Sequence, residues 1–205
     1  MSRLLCIGEC MVELAQVGPD TYRRGFAGDT FNTAWYARRC LPEAWEVAYG
    51  SAAGTDATSG EMAAFMEGEG ITPLLREVPS RTVGLYMIST EAGERSFSYW
   101  RDSSAARLLA DDPAWLERTI ASADMIHFSG ITLAILSPGH RARLCDALRA
   151  SPATVSFDTN LRPRLWESEE TMKQGLTLGA SAASIVLPSF DEETALFGDA
   201  TPEHT

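Results

Sequence analysis

The chain has 205 residues, 45% of them hydrophobic and 22% charged, which is the make-up of one globular domain with apolar mass enough for a core and excludes disorder. A formal net charge of -11 argues against nonspecific binding to nucleic acid or to an anionic membrane, so an anionic ligand needs a local basic pocket. Lys173 is the single lysine, so arginine is the ordinary cation of this chain and only its position makes an arginine a candidate.

Apolar runs of strand length alternate with segments of helical period, the pattern of an α/β fold with a mostly parallel sheet. The predicted strands are LLCIG at 4–8, WEVAYGS at 45–51, MIHFSG at 125–130, ATVSFD at 153–158 and ASIVLP at 183–188. Between them, helices are predicted near 30–40, 58–69, 113–121, 138–149 and 169–181, each short enough to be a crossover. GTDATSG at 54–60 is a turn entering a helix. The four cysteines, Cys6, Cys10, Cys40 and Cys145, show neither a repeated CxxC nor a Cys/His metal spacing and read as buried reduced thiols. MSRLLCIGECMVEL at the start has too short an apolar run and too early an acid for a signal peptide, and no stretch is long enough to span a bilayer, so a cytoplasmic protein without membrane contact is expected.

Two stretches break the alternation. VGLYMISTEAGERSFSYWR at 83–101 reads as a hairpin around Glu91, Ala92, Gly93 and Glu94, and a second extended piece runs from Glu9 to Phe26 with Gly18, Pro19 and Asp20 as its turn. Both are expected to form a small β-sheet beside the main one, as lid segments of about 10–26 and 83–102 inserted in a single domain of residues 1–205. A flap over a site and a surface for self-association are both open to such a sheet. GDATPEHT after Phe197 closes no helix or strand, and the chain reads as cut there.

In an open α/β sheet, ligands bind outside the carboxyl ends of the strands. Asp158, Asn160 and Arg162 follow one predicted strand end in VSFDTNLRPRLW, Ser129 and Gly130 another, and Gly8 and Glu9 the first. Asp158 and Arg162, four apart, are alternatively read as neutralising each other within a structural cluster. In FAGDTFNTAWYARR, Asp29 is a good N-cap for the following helix; alternatively Gly28 admits a ligand close to the backbone while Asp29 and Asn32, three apart, offer acceptors and a donor to hydroxyls. Tyr99 and Arg101 share a face of the hairpin with period two, and Tyr86 belongs to the same group. These read either as an aromatic cross-strand cluster or, since a guanidinium fork holds a carboxylate in two hydrogen bonds and the flap offers no obvious fixed acid, as a grip on an acidic substrate. Ser189, Asp191, Glu192 and Glu193 at the start of a last helix fit plain capping or a Mg²⁺ site acting through water. His127, His140 and His204 have no partner at a recognisable spacing and are expected in structural or solvent roles. Neither GxxxxGK[ST] nor GxGxxG occurs.

Taken in this order, IGECMVEL, AGDTFN, VGLYMI, YWR, SGIT, FDTNLRPRLW and LPSFDEE resemble the ribokinase-like (PfkB) sugar kinases over residues 1 to about 198, and most closely the members acting on 2-keto-3-deoxygluconate. The resemblance implies a doubly wound, mostly parallel α/β fold with a β lid, ATP and Mg²⁺ as cofactors, and a homo-oligomer formed through the lid. By it, Gly28, Asp29, Asn32, Tyr86, Tyr99, Arg101, Ile131 and Arg162 bind the sugar acid, with Arg162 also reaching the transferring phosphate. Asn160, Ser189 and Glu192 then serve ATP and its phosphates, and Glu192 touches the metal through water. Ser189 stands where the family usually has Asn, and Ala27 replaces the first glycine of the usual pair. The family's GAGD-like segment, which carries the base and an anion hole, does not occur in these 205 residues. The expected function is therefore ATP-dependent phosphorylation of a terminal hydroxyl of 2-keto-3-deoxygluconate or a similar sugar acid. This chain would be the substrate-binding part, inactive alone; a noncatalytic sugar-acid binding or oligomerisation module is the alternative.

Overall fold

The structure is a computed structural model that describes residues 2–91 and 94–204. Strand β1 (Ser2–Ile7) leads directly into β2 (Met11–Gly18) and β3 (Thr21–Ala27), after which helix α1 (Asp29–Cys40) returns the chain to β4 (Trp45–Ala53). Helix α2 (Ala57–Gly68), β5 (Thr72–Glu77), β6 (Leu85–Glu91) and β7 (Glu94–Trp100) follow. The second half contains α3 (Pro113–Ala121), β8 (Met125–Ser129), α4 (Gly130–Ala134), α5 (Pro138–Ala150), β9 (Thr154–Asp158), α6 (Glu169–Ser181), β10 (Ile185–Leu187) and α7 (Phe190–Phe197). The lid turn expected at Ala92 and Gly93, and the side chain of His204, lie outside the described residues.

Six strands pair in parallel in the order β10-β9-β8-β1-β4-β5. Helices cover both faces, which is why the strands read as continuous apolar runs instead of alternating ones. On β1, Leu5 and Ile7 join Phe128, Phe157 and the apolar sides of α3, α5 and α6 in one buried cluster, while Leu4 and Cys6 join Tyr49, Phe31 of α1 and Met62 and Met66 of α2 in the other. Phe128 and Phe157 on adjacent strands meet at a centroid distance of 4.7 Å. The capping signals operate as chemistry requires: Asp56, Asp112, Ser137 and Ser168 each accept a backbone N–H in the first turn of their helices.

The smaller sheet runs β3-β2-β6-β7, antiparallel except for the central β2–β6 pair. Its period-two alternation turns Leu14 and Leu85 toward the apolar cluster of α1 and α2, and sets Glu13, Tyr86 and Tyr99 on the opposite face.

Several expectations are corrected. Strand β5 was not foreseen: TPLLRE carries Pro73 and is only half-buried, and proline is tolerated there because β5 is the sheet's edge. Gly130, expected at a strand end, opens α4, because the Ser129 hydroxyl accepts the Thr132 N–H and starts a helical turn. Cys6, Cys10 and Cys145 are buried, whereas Cys40 is exposed where α1 ends. His140 pairs with Asp111 at 3.3 Å, and His127 on β8 lies 3.3 Å from the Ser156 hydroxyl of β9, contacts made by tertiary proximity that no local spacing announces.

Burial holds the His127 imidazole below its ordinary range, with Asp29 pulling weakly the other way. Below the unfolded value of about 6.5 the unfolded chain binds the proton first, so this contribution is present above that pH and is lost as pH falls toward the depressed native value. Chemical denaturation of wild type and His127→Gln from pH 7.5 to 5 should show wild type losing stability relative to the variant. Parallel profiles would contradict this.

Candidate functional site

The order of the large sheet reverses at β1: the chain builds outward through β4 and β5 on one side, then crosses to β8, β9 and β10 on the other. Such a reversal leaves a crevice at the carboxyl ends of the strands that flank it. The lid rises from this point, because β2 begins four residues after β1 ends.

Under the lid a hollow of about 360 Å³ is lined by Glu9, Met11, Gly28, Asp29, Asn32, Tyr86, Phe97, Tyr99, Arg101, Ile131, Asn160 and Arg162. All eight residues expected to meet the sugar acid lie here, drawn from five separated segments of chain, and Asn160, expected to serve ATP and its phosphates, lines the same hollow. Ser189 and Glu192 do not line it.

Asp29 is the hub of the floor. It is not the helix N-cap, a position held by Gly28 without any side-chain bond; as the first helical residue it turns its carboxylate across the sheet ends. Oδ2 of Asp29 accepts the Ser129 hydroxyl from the end of β8 and the Asn160 side-chain N–H, the latter at 3.1 Å, from beyond β9. Oδ1 has no hydrogen bond among the described residues, so it remains available to a ligand hydroxyl, with Asn32 one helical turn away on the same wall. Gly28 lines the hollow, but the room left by its missing Cβ is filled by the Glu9 carbonyl, not by ligand. That is a correction, and its cause is the close crossing of two backbones.

Asn160 has φ +33°, the one non-glycine residue with positive φ among the described residues. Asparagine tolerates this region, and its N–H closes a local turn by donating to Asp158 Oδ1 at 3.1 Å. Of the alternatives the sequence left open, the Asp158–Arg162 ion pair is not the one formed: Arg162 pairs with Glu192 at 3.2 Å. Burial pushes the Asp158 carboxyl above its usual range, and the nearby Asp29 adds to the rise.

Glu192 also has a structural duty that the sequence did not announce. It accepts the Leu161 N–H at 3.0 Å and the Arg162 guanidinium at 3.2 Å, fixing the loop that carries Arg162 into the hollow. Ser189 is exposed at the N-cap of α7 and makes no capping bond. Among the described residues no three His, Cys, Asp or Glu side chains gather to hold a metal ion. Mg²⁺ takes most of its ligands from water and substrate phosphates, and each Glu192 oxygen, which accepts one hydrogen bond, keeps a lone pair with which it could receive a metal-bound water.

The lid supplies an aromatic wall. Tyr86 stacks on Tyr99 at 5.8 Å and its hydroxyl donates to Glu13. Arg101 was expected to face no fixed acid; it donates to Glu9, and both side chains are buried. Burial raises the Glu9 carboxyl above its ordinary range, and Arg101 partly offsets that rise. Met11 and Phe97 are lining residues that the sequence reading missed, and Glu9, placed by it at the first strand end, was not counted among the ligand-binding residues. The usable signal was Glu9 itself, an acid placed directly after a buried strand.

A second hollow of about 590 Å³ shares Phe97, Tyr99, Arg101, Ile131 and Arg162 with the first and adds Arg95 from the lid and Arg164 from below. Four arginines thus border one opening of a chain whose net charge is -11. A larger groove of about 610 Å³ between α3 and α5 shares no residue with the cleft and lies on mostly apolar and helix-surface residues.

A sequence profile described as the pfkB family carbohydrate kinase matches residues 1–205. The chain belongs to that family. It is 45% identical over 201 residues to a 2-dehydro-3-deoxygluconokinase of Dickeya dadantii (strain 3937), a match that takes in 94% of this chain and 64% of the relative. The chain therefore spans just under two thirds of that relative's length. Among solved structures, a PfkB protein from Polaromonas sp. JS666 superposes with a TM-score of 0.84 at 30% identity, covering 100% of this chain and 71% of that one. An uncharacterized sugar kinase from Pyrococcus horikoshii, solved in complex with ATP, superposes at 0.82 with 20% identity over 95% of this chain and 66% of its own, which shows a shared fold. The doubly wound α/β architecture with a small β lid is thus this PfkB family member's own.

Asn160 tests the floor. Asn160→Ala removes the bond to Asp29 and places a Cβ-bearing, non-polar residue at positive φ, so denaturation should show a loss of about 2 to 3 kcal/mol. Asn160→Gly, which loses the same bond but adopts this backbone freely, should recover about 1 kcal/mol of that. Equal losses in the two variants would show that the backbone is unstrained.

Proposed function

We propose that this protein serves the ATP-dependent phosphorylation of a sugar acid, 2-keto-3-deoxygluconate or a close relative, with the cleft under the lid as the acceptor site. The observation that carries this reading is the pairing, within one hollow, of a hydroxyl-reading floor at Asp29 and Asn32 with a guanidinium at Arg101. A guanidinium fork matches a carboxylate, and acceptors paired with a donor match hydroxyls. The name of the Dickeya relative supports the same substrate class.

In this reading the ligand's hydroxyls hydrogen-bond to Asp29 Oδ1 and Asn32, its carboxylate takes N–H groups of Arg101 not engaged by Glu9, and Tyr86 and Tyr99 close over its carbon chain. Ile131 and Phe97 exclude water from that side. Arg162, held by Glu192, stands where it can neutralise charge on a phosphoryl group approaching a terminal hydroxyl, and such charge stabilisation is most of what a protein supplies to this reaction. ATP, as in the P. horikoshii complex, supplies the phosphoryl group, and transfer is direct and in line with no covalent enzyme intermediate. The border of four arginines draws the acid toward the cleft despite the chain's overall charge. We place self-association on the lid's outer strand β7, where Trp100 is 57% exposed on the face away from Tyr99.

Calorimetric titration with 2-keto-3-deoxygluconate tests the acceptor site. Arg101→Ala should weaken binding at least about tenfold, or about 1.4 kcal/mol. Asp29→Ala should weaken it by a similar amount through the hydroxyl contacts. An unchanged dissociation constant for Arg101→Ala would remove the carboxylate from this site.

A further inference from the structure

We propose that Glu9 is a positioning residue for Arg101: its buried carboxylate fixes the guanidinium at the wall of the cleft, leaving other N–H groups of the fork for the ligand's acid group. The inference rests on the sugar-acid reading above and adds to it a residue that the reaction's chemistry would never touch.

Four chain crossings join the lid to the main sheet, and Glu9 contacts all of them. It lies on the first, between β1 and β2. Its carbonyl packs on Gly28, which links β3 to α1, so closely that a Cβ there would collide with it. One carboxylate oxygen, Oε1, would lie 2.9 Å from a Cβ at Gly84, just ahead of β6. The other, Oε2, accepts from Nη2 of Arg101, the first residue after β7.

The pair is also incompletely matched. The side chains are 8% and 1% exposed for Arg101 and Glu9, yet neither Arg101 Nε nor Glu9 Oε1 has a hydrogen bond of ordinary length among the described residues, the Ser104 side chain nearby only adding to the stabilisation of the Glu9 carboxylate. A buried guanidinium needs a counter-charge, and Glu9 supplies it through a single group of the fork. The unmatched Nε–H belongs to a residue that lines the cleft, as Glu9 itself does. Arg101 is further steadied from one side by the Tyr99 ring, 5.8 Å from its carbon centre. A lone arginine with its many rotamers would pay entropy to meet the ligand; one already anchored does not.

The test is a double-mutant cycle on the full protein, read by calorimetry with 2-keto-3-deoxygluconate. Glu9→Gln keeps the shape and removes the charge, and should weaken binding at least about tenfold. In the Arg101→Ala background the same change should alter affinity less than about twofold, because the residue being positioned is gone. Gly84→Ala leaves every charge in place but crowds Glu9 Oε1, Met11 at 3.0 Å and the Arg101 Cβ at 3.3 Å, and should reproduce the loss. Equal factors in both backgrounds would show a merely structural role and overturn the proposal, as would wild-type affinity in Glu9→Gln. If Glu9→Gln does not fold by circular dichroism, Gly84→Ala decides, and its unchanged affinity overturns the proposal. Loss in Arg101→Ala with none in Glu9→Gln defeats this inference alone, whereas no loss in Arg101→Ala defeats the sugar-acid reading and this inference with it.

Discussion

The reversal of strand order at β1 is the constraint on which the rest of this structure depends. Parallel strands that fan out to either side of one central strand cannot carry their helices across its end, so a crevice opens there whatever the sequence. Residues leaving β1, β8 and β9 must then be polar enough to face it and paired well enough to survive partial burial. Asp29 meets that demand by joining Ser129 and Asn160, which ties the start of α1 to the ends of two strands that α1 does not follow. The lid, inserted at the same point, turns an open crevice into a roofed one.

The large elements were legible because their signals are local. Helices α3 and α6 begin after Asp112 and Ser168, residues whose side chains accept first-turn N–H groups, and the apolar runs of β1, β4, β8 and β9 follow from burial on both faces. Candidates for the cleft were also legible: a strand end marked Asn160, the helix start after Gly28 marked Asp29, and the lid's period-two face marked Arg101 and Tyr99, while the resemblance to the sugar kinases was what joined them into one site. Strand β5 was hidden by Pro73, a residue that argues against a strand everywhere except at an edge.

Partnership was the part that local patterns did not reveal. Whether Arg162 pairs with Asp158, four residues away, or with Glu192, thirty residues away, depends on how the 159–162 turn is wound, and Asn160 settles that through a positive φ that composition does not announce. Arg101 and Glu9 are 92 residues apart and meet only because the lid leaves and rejoins the main sheet at one place. The same geometry gives Glu192 a partner the sequence did not show: an acid in the first turn of a helix suits a cation or a cap equally, and here it also clamps a loop.

Lys173, the chain's single lysine, sits on α6 beside Glu169, away from the cleft. Every cation bordering the ligand space is therefore a guanidinium, which does not release its proton anywhere in the biological range. The attractive side of the pocket consequently behaves as a constant across alkaline and neutral conditions alike. Any acidity profile of recognition must originate in carboxyl groups, those of the protein or that of the guest, or in the His127 imidazole that senses Asp29.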